Sequence, residues 1–305
     1  MDKPEGWTSH DAVARLRTIL GTQRVGHAGT LDPFASGLLL VGEDRATSLL
    51  ACLTLLPKRY LARLKLGVAT DTHDWTGKTT STAGVIPGPD AIDAAIERLR
   101  GPIHQRPPLF SAVKVRGERL YKAARRGEEV DRDPRPVHVY EILRTGEALP
   151  EDEIGLDVTV SRGTYVRALA HDLGEALGCG AHLTALRRVS IGAFRVESAL
   201  SPDKETGLDA AAFRARAIPP ERAVSFLPRV KLLPGEAERL RHGVAPVLTE
   251  ERIEAPDGAT PLPPGEPGWP LALLDPAGPL LAVARPWESQ RAGERAALLR
   301  VVAAA

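Results

Sequence analysis

The chain has 305 residues, of which 43% are apolar and 26% are charged, and its formal net charge is +1. This apolar content is enough to build a packed core and excludes general disorder. The length exceeds that of a usual single domain, so we expect two domains, residues 1–228 and 229–305.

No apolar run reaches the length that spans a bilayer, and the chain shows no apolar core of a signal peptide. The cysteines, Cys52 and Cys179, fit neither a metal site nor a disulfide framework. We therefore expect a cytoplasmic protein that has no membrane partner.

The first elements are predicted from capping and periodicity. Thr8 or Ser9 can cap a helix through "DAVARLRTIL" that ends at Gly21. The segment "RYLARLKLGVAT", residues 59–70, alternates apolar and polar residues like a half-buried strand. "PDAIDAAIERLRG" predicts a short helix closed by Gly101.

Further along, "HVYEILRTGEAL" and "EIGLDVTVSRGTYV" are predicted as strands, and "YVRALAHDLGEALG" as a helix that ends at Gly178. No regular strand–helix–strand repeat appears, so an α+β fold is favoured over a doubly wound sheet. Residues 201–228 are helix-prone and interrupted by prolines. The rest of the chain holds short strand candidates, "PLALLD" and "PLLAVARP", and predicts a small β-rich domain.

One carboxylate, Asp32, lies in the otherwise small and apolar segment "GHAGTLDPFASG", residues 26–37. Gly26 and Gly29 indicate a loop that turns tightly or lets a ligand approach its backbone. Pro33 biases Asp32 toward extended geometry. From spacing alone, Asp32 is either a turn former or a residue placed to act on a ligand.

Two other segments carry partial signs of a binding site. "GKTT", residues 77–80, lacks the glycine that a phosphate-binding loop needs five places before Gly77, because position 72 is Thr. "DTHD", residues 71–74, has no second cluster to complete a metal site, so we expect a polar turn and no metal. Asp74 remains a candidate binding residue through its hydrogen bonds.

Residues 106–136 hold nine Lys or Arg against five acidic residues. A basic segment of this kind either contacts phosphates or forms a solvated helix with its loop. Arg125 and Arg126 are the members that we expect to contact RNA phosphates.

Four segments, taken in order, resemble motifs of the bacterial TruB family of tRNA pseudouridine synthases. They are "DKPEGWTSHD", "RVGHAGTLDPFASGLL", "KRYLARLKLGVATDTHD" and "SRGTYVRALAHDLGEALGCGAHLTALRR". The resemblance implies a mixed or antiparallel sheet with helices and a PUA-like barrel in residues 229–305. It also implies that the chain converts the uridine at position 55 in the T-loop of tRNA to pseudouridine.

The resemblance implies a role for each candidate residue. Asp32 is the catalytic aspartate, Arg167 its cationic partner, and Tyr60 the aromatic residue that stacks on the uracil and helps to move the C5 proton. The other candidate residues bind the uridine or the nucleotides next to it. Asp74, Tyr165 and Leu186 line the pocket, and His27 lies against the flipped-out nucleotides. A general-base role is the second choice for His27.

The implied reaction breaks the N1–C1′ bond, rotates the uracil and rejoins it through C5, and it needs no cofactor. Three roles stay open for Asp32: attack on C1′, addition to C6 of the base, and removal of a proton from C2′. An ionised aspartate beside a ligand needs a cation to hold it, and the fork of Arg167 suits a carboxylate.

The expected partner is the T-arm of tRNA, the expected state is a monomer, and residues 106–136 resemble the thumb insertion of the family. Two other functions stay open, namely a synthase guided by a small RNA and an RNA-binding helper of tRNA folding. The chain departs from the family pattern at its start, because Met1 directly precedes the DKPEG motif. Either residues precede Met1 in the full protein or a short edge strand is missing.

Overall fold

The computed structural model describes residues 1–111, 114–115, 118–120, 126, 130–203, 207–256, 258, 260–289 and 294–302. The chain divides into two compact units. The first unit comprises Met1–Pro33, Leu39–Leu56 and Ser198–Ala305, and the second comprises Phe34–Leu38 and Pro57–Glu197. No helix in the described part of the chain is both long and apolar enough to cross a bilayer.

The helices of the described residues are α1 (Ser9–Leu20), α2 (Leu50–Leu53), α3 (Pro89–Glu97), α4 (Val166–Leu177), α5 (Ala210–Ala215), α6 (Pro220–Ala223) and α7 (Pro234–Arg241). As predicted, Thr8 caps α1, and its side chain and that of Asp11 bond each other's backbone N–H. Gly21 ends α1 in the left-handed conformation, which confirms its predicted role. The predicted closure of α3 at Gly101 is wrong, because α3 ends at Glu97.

The strands of the first unit are β1 (Asp2–Lys3), β2 (Val25–His27), β4 (Val41–Glu43), β15 (Arg229–Lys231), β16 (Leu271–Leu274), β17 (Leu280–Ala284) and β18 (Leu298–Val301). Those of the second unit are β3 (Ser36–Leu38), β5 (Lys58–Leu66), β6 (Val68–Thr70), β7 (Thr79–Thr82), β8 (Gly101–Gln105), β9 (Lys114–Val115), β10 (Glu118–Arg119), β11 (Arg135–Arg144), β12 (Glu153–Val160), β13 (Ala181–Ile191) and β14 (Phe194–Arg195). Gly101, with φ 90°, is thus the first residue of β8.

The main sheet of the second unit has the strand order β3-β13-β5-β12-β11-β8, with β14 paired to β13. The pairing of β3 with β13 is parallel, and the other pairings are antiparallel. The mixed sheet and its helices confirm the predicted α+β class.

The alternation of β5 decides which of its residues face the core. Tyr60, Ala62, Leu64 and Leu66 are buried, whereas the residues between them point outward. Leu61 therefore lies on the outer face, 42% exposed, and is an apolar exception to the alternation. A period of two places residues of equal parity on one face.

Helix α4 contacts β13, and one glycine permits a close approach. A Cβ atom at Gly174 would lie 2.2 Å from the backbone N of Ala181 and 2.4 Å from the carbonyl carbon of Gly180. The helix ends at Gly178 in the left-handed conformation, as predicted. The turn that follows sends the chain directly into β13.

The end of the chain forms a sheet of its own with the order β15-β16-β17-β18. Its core holds Val230, Leu240, Leu273 and Ala282, with Trp287 packed against them. Both strands predicted in this part are present. Closure into a PUA-like barrel and a domain boundary at residue 228 stay predictions.

The crowding at Gly174 predicts the sign of a stability change. Gly174→Ala should lower the free energy of unfolding by about 1–3 kcal/mol, because the added methyl group meets backbone that must shift. An uncrowded helix interior gains about 1 kcal/mol from the same change. Chemical denaturation measures the effect, with Gly84→Ala as the control, since a Cβ there has no neighbour within 4 Å. Equal or higher stability of Gly174→Ala would contradict the crowding.

Candidate active site

The loop that carries Asp32 belongs to the first unit and starts from strand β2. His27 ends β2 opposite Val41 of β4 and is half-buried. Gly29 then turns the chain with φ 105°, a conformation that glycine adopts without strain. Asp32 is partly exposed between the buried Leu31 and the exposed Pro33.

Immediately before Asp32, the side chain of Ser9 holds the backbone of Leu31 by two hydrogen bonds. The Ser9 hydroxyl accepts a hydrogen bond from the N–H of Leu31 at 2.8 Å and donates to its carbonyl at 3.1 Å. Ser9 is held in turn as the first residue of α1. Both polar groups of Leu31 are thus satisfied by a single side chain, which fixes the direction in which the chain enters Asp32.

The backbone is tied down again just after Asp32. The carbonyl of Pro33 accepts from the N–H of Gly6 at 2.8 Å and faces the Lys3 amine at 3.5 Å. Lys3 is fully buried, and its amine also donates to the carbonyls of Pro4 and Trp7, at 2.9 and 2.6 Å. The DKPEG segment therefore holds the backbone on the C-terminal side of Asp32, as Ser9 holds it on the N-terminal side.

Arg167 lies in the first turn of α4, in the second unit, with its side chain 4% exposed. Its guanidinium donates to the carbonyl of Thr72 at 3.0 Å and to that of Phe110 at 2.9 Å. The Oδ2 atom of Asp74 lies 3.5 Å from Nη1. The structure thus brings together two of the predicted site residues, Arg167 and Asp74.

Asp74 is buried at the centre of the predicted polar turn between β6 and β7. Its Oδ1 atom accepts from the Thr72 hydroxyl at 2.8 Å, and from the N–H and the hydroxyl of Thr76. Asp74 also forms a parallel bridge with Leu183 of β13. The carboxylate therefore holds the turn in one shape and aims its second oxygen at Arg167.

Tyr60 and Leu186 lie on neighbouring strands and on one face of the main sheet. In the register of β5 and β13, Tyr60 is opposite Arg188 and Leu186 is opposite Ala62. Residues opposite each other share a face, so Tyr60 and Leu186 are diagonal neighbours, about 7–8 Å apart. Both side chains are buried.

Tyr165 directly precedes α4 and is fixed by a residue that sequence reasoning missed. The Gln105 amide accepts from the N–H of Tyr165 at 2.7 Å and donates to its carbonyl at 3.0 Å. Gln105 is buried at the end of β8. No motif marks this glutamine, because its partner is distant along the chain.

Lys58 is a second residue that sequence reasoning missed. It lies two positions before Tyr60 on the same buried face of β5. Burial, followed by the positive charges of Arg188 and Arg162, lowers the pKa of the Lys58 amine to about 7. The amine beside Tyr60 therefore titrates near neutral pH.

His73 stacks on His171 of α4, with ring centroids 4.1 Å apart and planes 8° from parallel. Burial, then His171, Arg167 and Arg132, lowers the pKa of His73 to about 3. The ring is consequently neutral at physiological pH. His73 has φ 61°, a left-handed conformation in the turn that carries Asp74.

The remaining predicted residues lie in the basic segment. Arg126 is exposed, whereas Arg125 lies outside the described residues. Within the described ranges, no group of three or more His, Cys, Asp or Glu side chains is placed to hold a metal ion.

Comparison with solved structures supports the fold. A chain of a crystallised Cbf5-Nop10-Gar1 complex matches with a TM-score of 0.72 and 30% identity, over 99% of this chain and 84% of that chain. A chain of an archaeal box H/ACA sRNP Nop10-Cbf5 complex matches with a TM-score of 0.70 and 26% identity, over 99% and 85%.

Family descriptions cover most of the chain up to residue 221. "TruB family pseudouridylate synthase (N terminal domain)" matches residues 17–166, and "tRNA pseudouridylate synthase B C-terminal domain" matches residues 167–221. The class that these matches define is the pseudouridylate synthases.

Similarity to curated relatives identifies one family within this class. A tRNA pseudouridine synthase B of Thermobifida fusca is 43% identical over 291 residues, which are 93% of this chain and 92% of the relative. That of Mycobacterium tuberculosis H37Rv is 47% identical over 209 residues, 67% and 69% of the two chains. The chain belongs to the TruB family, which confirms the resemblance of its four motifs.

The tie at Ser9 can be tested directly. Ser9→Ala should lower the free energy of unfolding by about 1–3 kcal/mol, because the buried Leu31 N–H loses its acceptor. It should also slow pseudouridine formation, since Asp32 follows the released residue. Denaturation and a pseudouridine assay measure the two effects. Thr18→Ala, at an exposed position of the same helix, is the control and should leave activity unchanged without lowering the free energy of unfolding. Wild-type values for Ser9→Ala would contradict a role for this tie.

The lowered pKa of His73 predicts how stability depends on pH. Between its ordinary value of 6.5 and the folded value of about 3, the unfolded chain binds a proton at His73 that the folded chain does not. The free energy of unfolding should therefore fall as the pH falls through this window. His73→Asn keeps a residue that tolerates positive φ. Denaturation at stepped pH should show a smaller loss for this variant, and equal losses would contradict the shift.

Proposed function

We propose that the chain isomerises uridine to pseudouridine in tRNA, at position 55 of the T-loop. The observation that carries this proposal is the partly exposed Asp32, fixed on both sides by Ser9, Gly6 and Lys3 within the TruB motif. Membership of the TruB family and the relative from Thermobifida fusca, similar over 93% of this chain, support the substrate.

The proposed chemistry conserves all atoms. The N1–C1′ bond breaks, the uracil rotates, and C5 bonds to C1′; C5 then loses its proton and N1 gains one. Asp32 acts on C1′, on C6 of the base or on the C2′ proton. A backbone fixed on both sides of Asp32 holds the carboxylate ready, so little ordering remains to be done when RNA binds.

The second unit supplies the proposed uridine pocket. Tyr60 stacks on the uracil and its hydroxyl assists the transfer of the C5 proton, while Leu186, its diagonal neighbour, and Tyr165 line the pocket. Arg167 is the proposed cation that keeps Asp32 ionised, and Asp74 positions Arg167 through the ion pair at 3.5 Å. Buried charge pairs of this kind hold a guanidinium in one orientation.

Access to the uridine requires that the base leave its stack. We propose His27, with its planar ring at the end of β2, as the residue against which the flipped-out nucleotides rest. Arg125 and Arg126 are proposed to contact phosphates of the T-arm. We expect the enzyme to act as a monomer in the cytoplasm and without a cofactor.

A guide-RNA-dependent synthase is the second candidate, favoured by the similarity to chains of Cbf5-containing complexes. An unguided reaction on a tRNA transcript separates the two. Pure protein that forms pseudouridine at position 55 without added RNA supports the first function. A folding helper that performs no chemistry is separated by the next experiment.

Asp32→Asn should abolish pseudouridine formation, because the amide neither attacks carbon nor accepts a proton at the required rate. The affinity for tRNA should stay within a few-fold, since the change keeps shape and leaves the loop ties intact. Mapping of pseudouridine in a transcript and a binding titration measure the two effects. Asp90→Asn, an exposed position in α3, is the control and should act like the wild type. Appreciable pseudouridine formation by Asp32→Asn would contradict the catalytic role of Asp32.

A further inference from the structure

The second unit exposes an aromatic side chain that takes no part in the proposed reaction. Trp75, the residue after Asp74, is 52% exposed. A large ring left in water costs free energy that burial against a partner recovers. The ring is therefore available to a partner that offers it a flat apolar surface.

The backbone that carries Trp75 is held by hydrogen bonds on both sides of the residue. The Trp75 N–H donates to the carbonyl of Leu183 at 2.8 Å, and the Leu183 N–H donates to the carbonyl of His73 at 3.1 Å. The Gly77 N–H donates to the carbonyl of Asp74 at 3.2 Å, which closes the turn on the other side. A ring on such a backbone is presented in place, so little conformational entropy is lost when a partner covers it.

The backbone of Trp75 is also close to residues proposed to hold the uridine. Leu183, which anchors Trp75, lies three positions before Leu186 on β13, at most about 10 Å along a strand. Asp74, its neighbour in sequence, contacts Arg167. A group bound on Trp75 would therefore lie within reach of a nucleotide next to the target.

The surroundings of Trp75 decide the class of partner. Its sequence neighbours Asp71, Thr76 and Lys78 are polar and exposed, so the turn that carries the ring contributes no other large exposed apolar side chain. A protein interface needs a contiguous apolar core. One flat ring with a cation three residues away fits a nucleobase and its phosphate instead, because any base can stack on it.

We propose that Trp75 is a stacking platform for an unpaired base of the bound RNA, adjacent to the target uridine. The platform adds binding energy and takes no part in the chemical step. Lys78 supplies positive charge for the phosphate of the stacked nucleotide. The proposal rests on the proposed function, since tRNA is the RNA that it concerns.

The experiment measures the affinity for an unmodified tRNA transcript in the Asp32→Asn background at fixed salt. Trp75→Ala should weaken binding about 5-fold to 150-fold, the range for loss of one aromatic stack. Trp75→Phe keeps a flat ring and should stay within about threefold of the parent. Leu143→Ala removes another exposed apolar side chain of the same unit, 48% exposed, and is the matched control.

Kinetics with Asp32 present provide a second readout. Trp75→Ala should raise the KM for tRNA and leave kcat at saturating tRNA within about twofold, because stacking binds substrate and transition state alike. Unchanged affinity of Trp75→Ala while the wild type forms pseudouridine would overturn the platform alone, whether or not Trp75 serves a protein partner. Absence of pseudouridine and of tRNA binding in the wild type would overturn the proposed function instead.

Discussion

A buried guanidinium has to find acceptors for its donors, and that constraint at Arg167 links helix α4 to the turn after β6 and to Phe110. Its charge lies out of water at the start of α4, where an unmatched cation would be costly. The turn after β6 meets this demand with a backbone carbonyl of Thr72 and the carboxylate of Asp74. Because Asp74 also bridges to β13, the helix, the turn and the sheet are fixed relative to one another.

Burial lowers the pKa of two basic side chains near the proposed pocket. Lys58 and Arg188 lie on the face of the sheet that Tyr60 shares, and the low pKa of Lys58, about 7, lets this amine shed its charge beside a permanent cation. His73 meets the same problem next to Arg167 and stays neutral, with its ring packed flat on His171. At Lys58 and at His73, burial beside an arginine thus favours the neutral form of the second basic group.

Local chemistry made much of the fold predictable from the sequence. The ends of α1 and α4 follow from a capping threonine and from glycines with positive φ. Alternation predicted one strand over residues 59–70, whereas the structure has β5 and β6, separated at Gly67 with φ 81°. The end of α3 was not predictable in this way, because a glycine after a helix marks a turn but not its exact place. Gly101 uses its positive φ to start a strand.

Only some of the site residues could be predicted from the sequence, and the reason is physical. Asp32 was singled out because a lone carboxylate in a glycine-rich loop is visible in sequence. Ser9 and Gln105 were not, because each acts through hydrogen bonds to backbone groups 22 and 60 residues away. Backbone partners carry no sequence signal, so such ties become visible only in the folded chain. Lys58 did leave one signal, since it shares the parity of Tyr60 in β5.

The hydrogen bond between Arg167 and Phe110 connects the basic segment, residues 106–136, to the start of α4. Phe110 lies near the start of residues 106–136, and its carbonyl is one of the acceptors of the buried guanidinium, at 2.9 Å. Loss of this carbonyl would leave the cation with one acceptor fewer in a place that water does not reach. One peptide group thus does for Arg167 what solvent does for a cation at the surface, so the position of Phe110 and the environment of the buried charge are coupled.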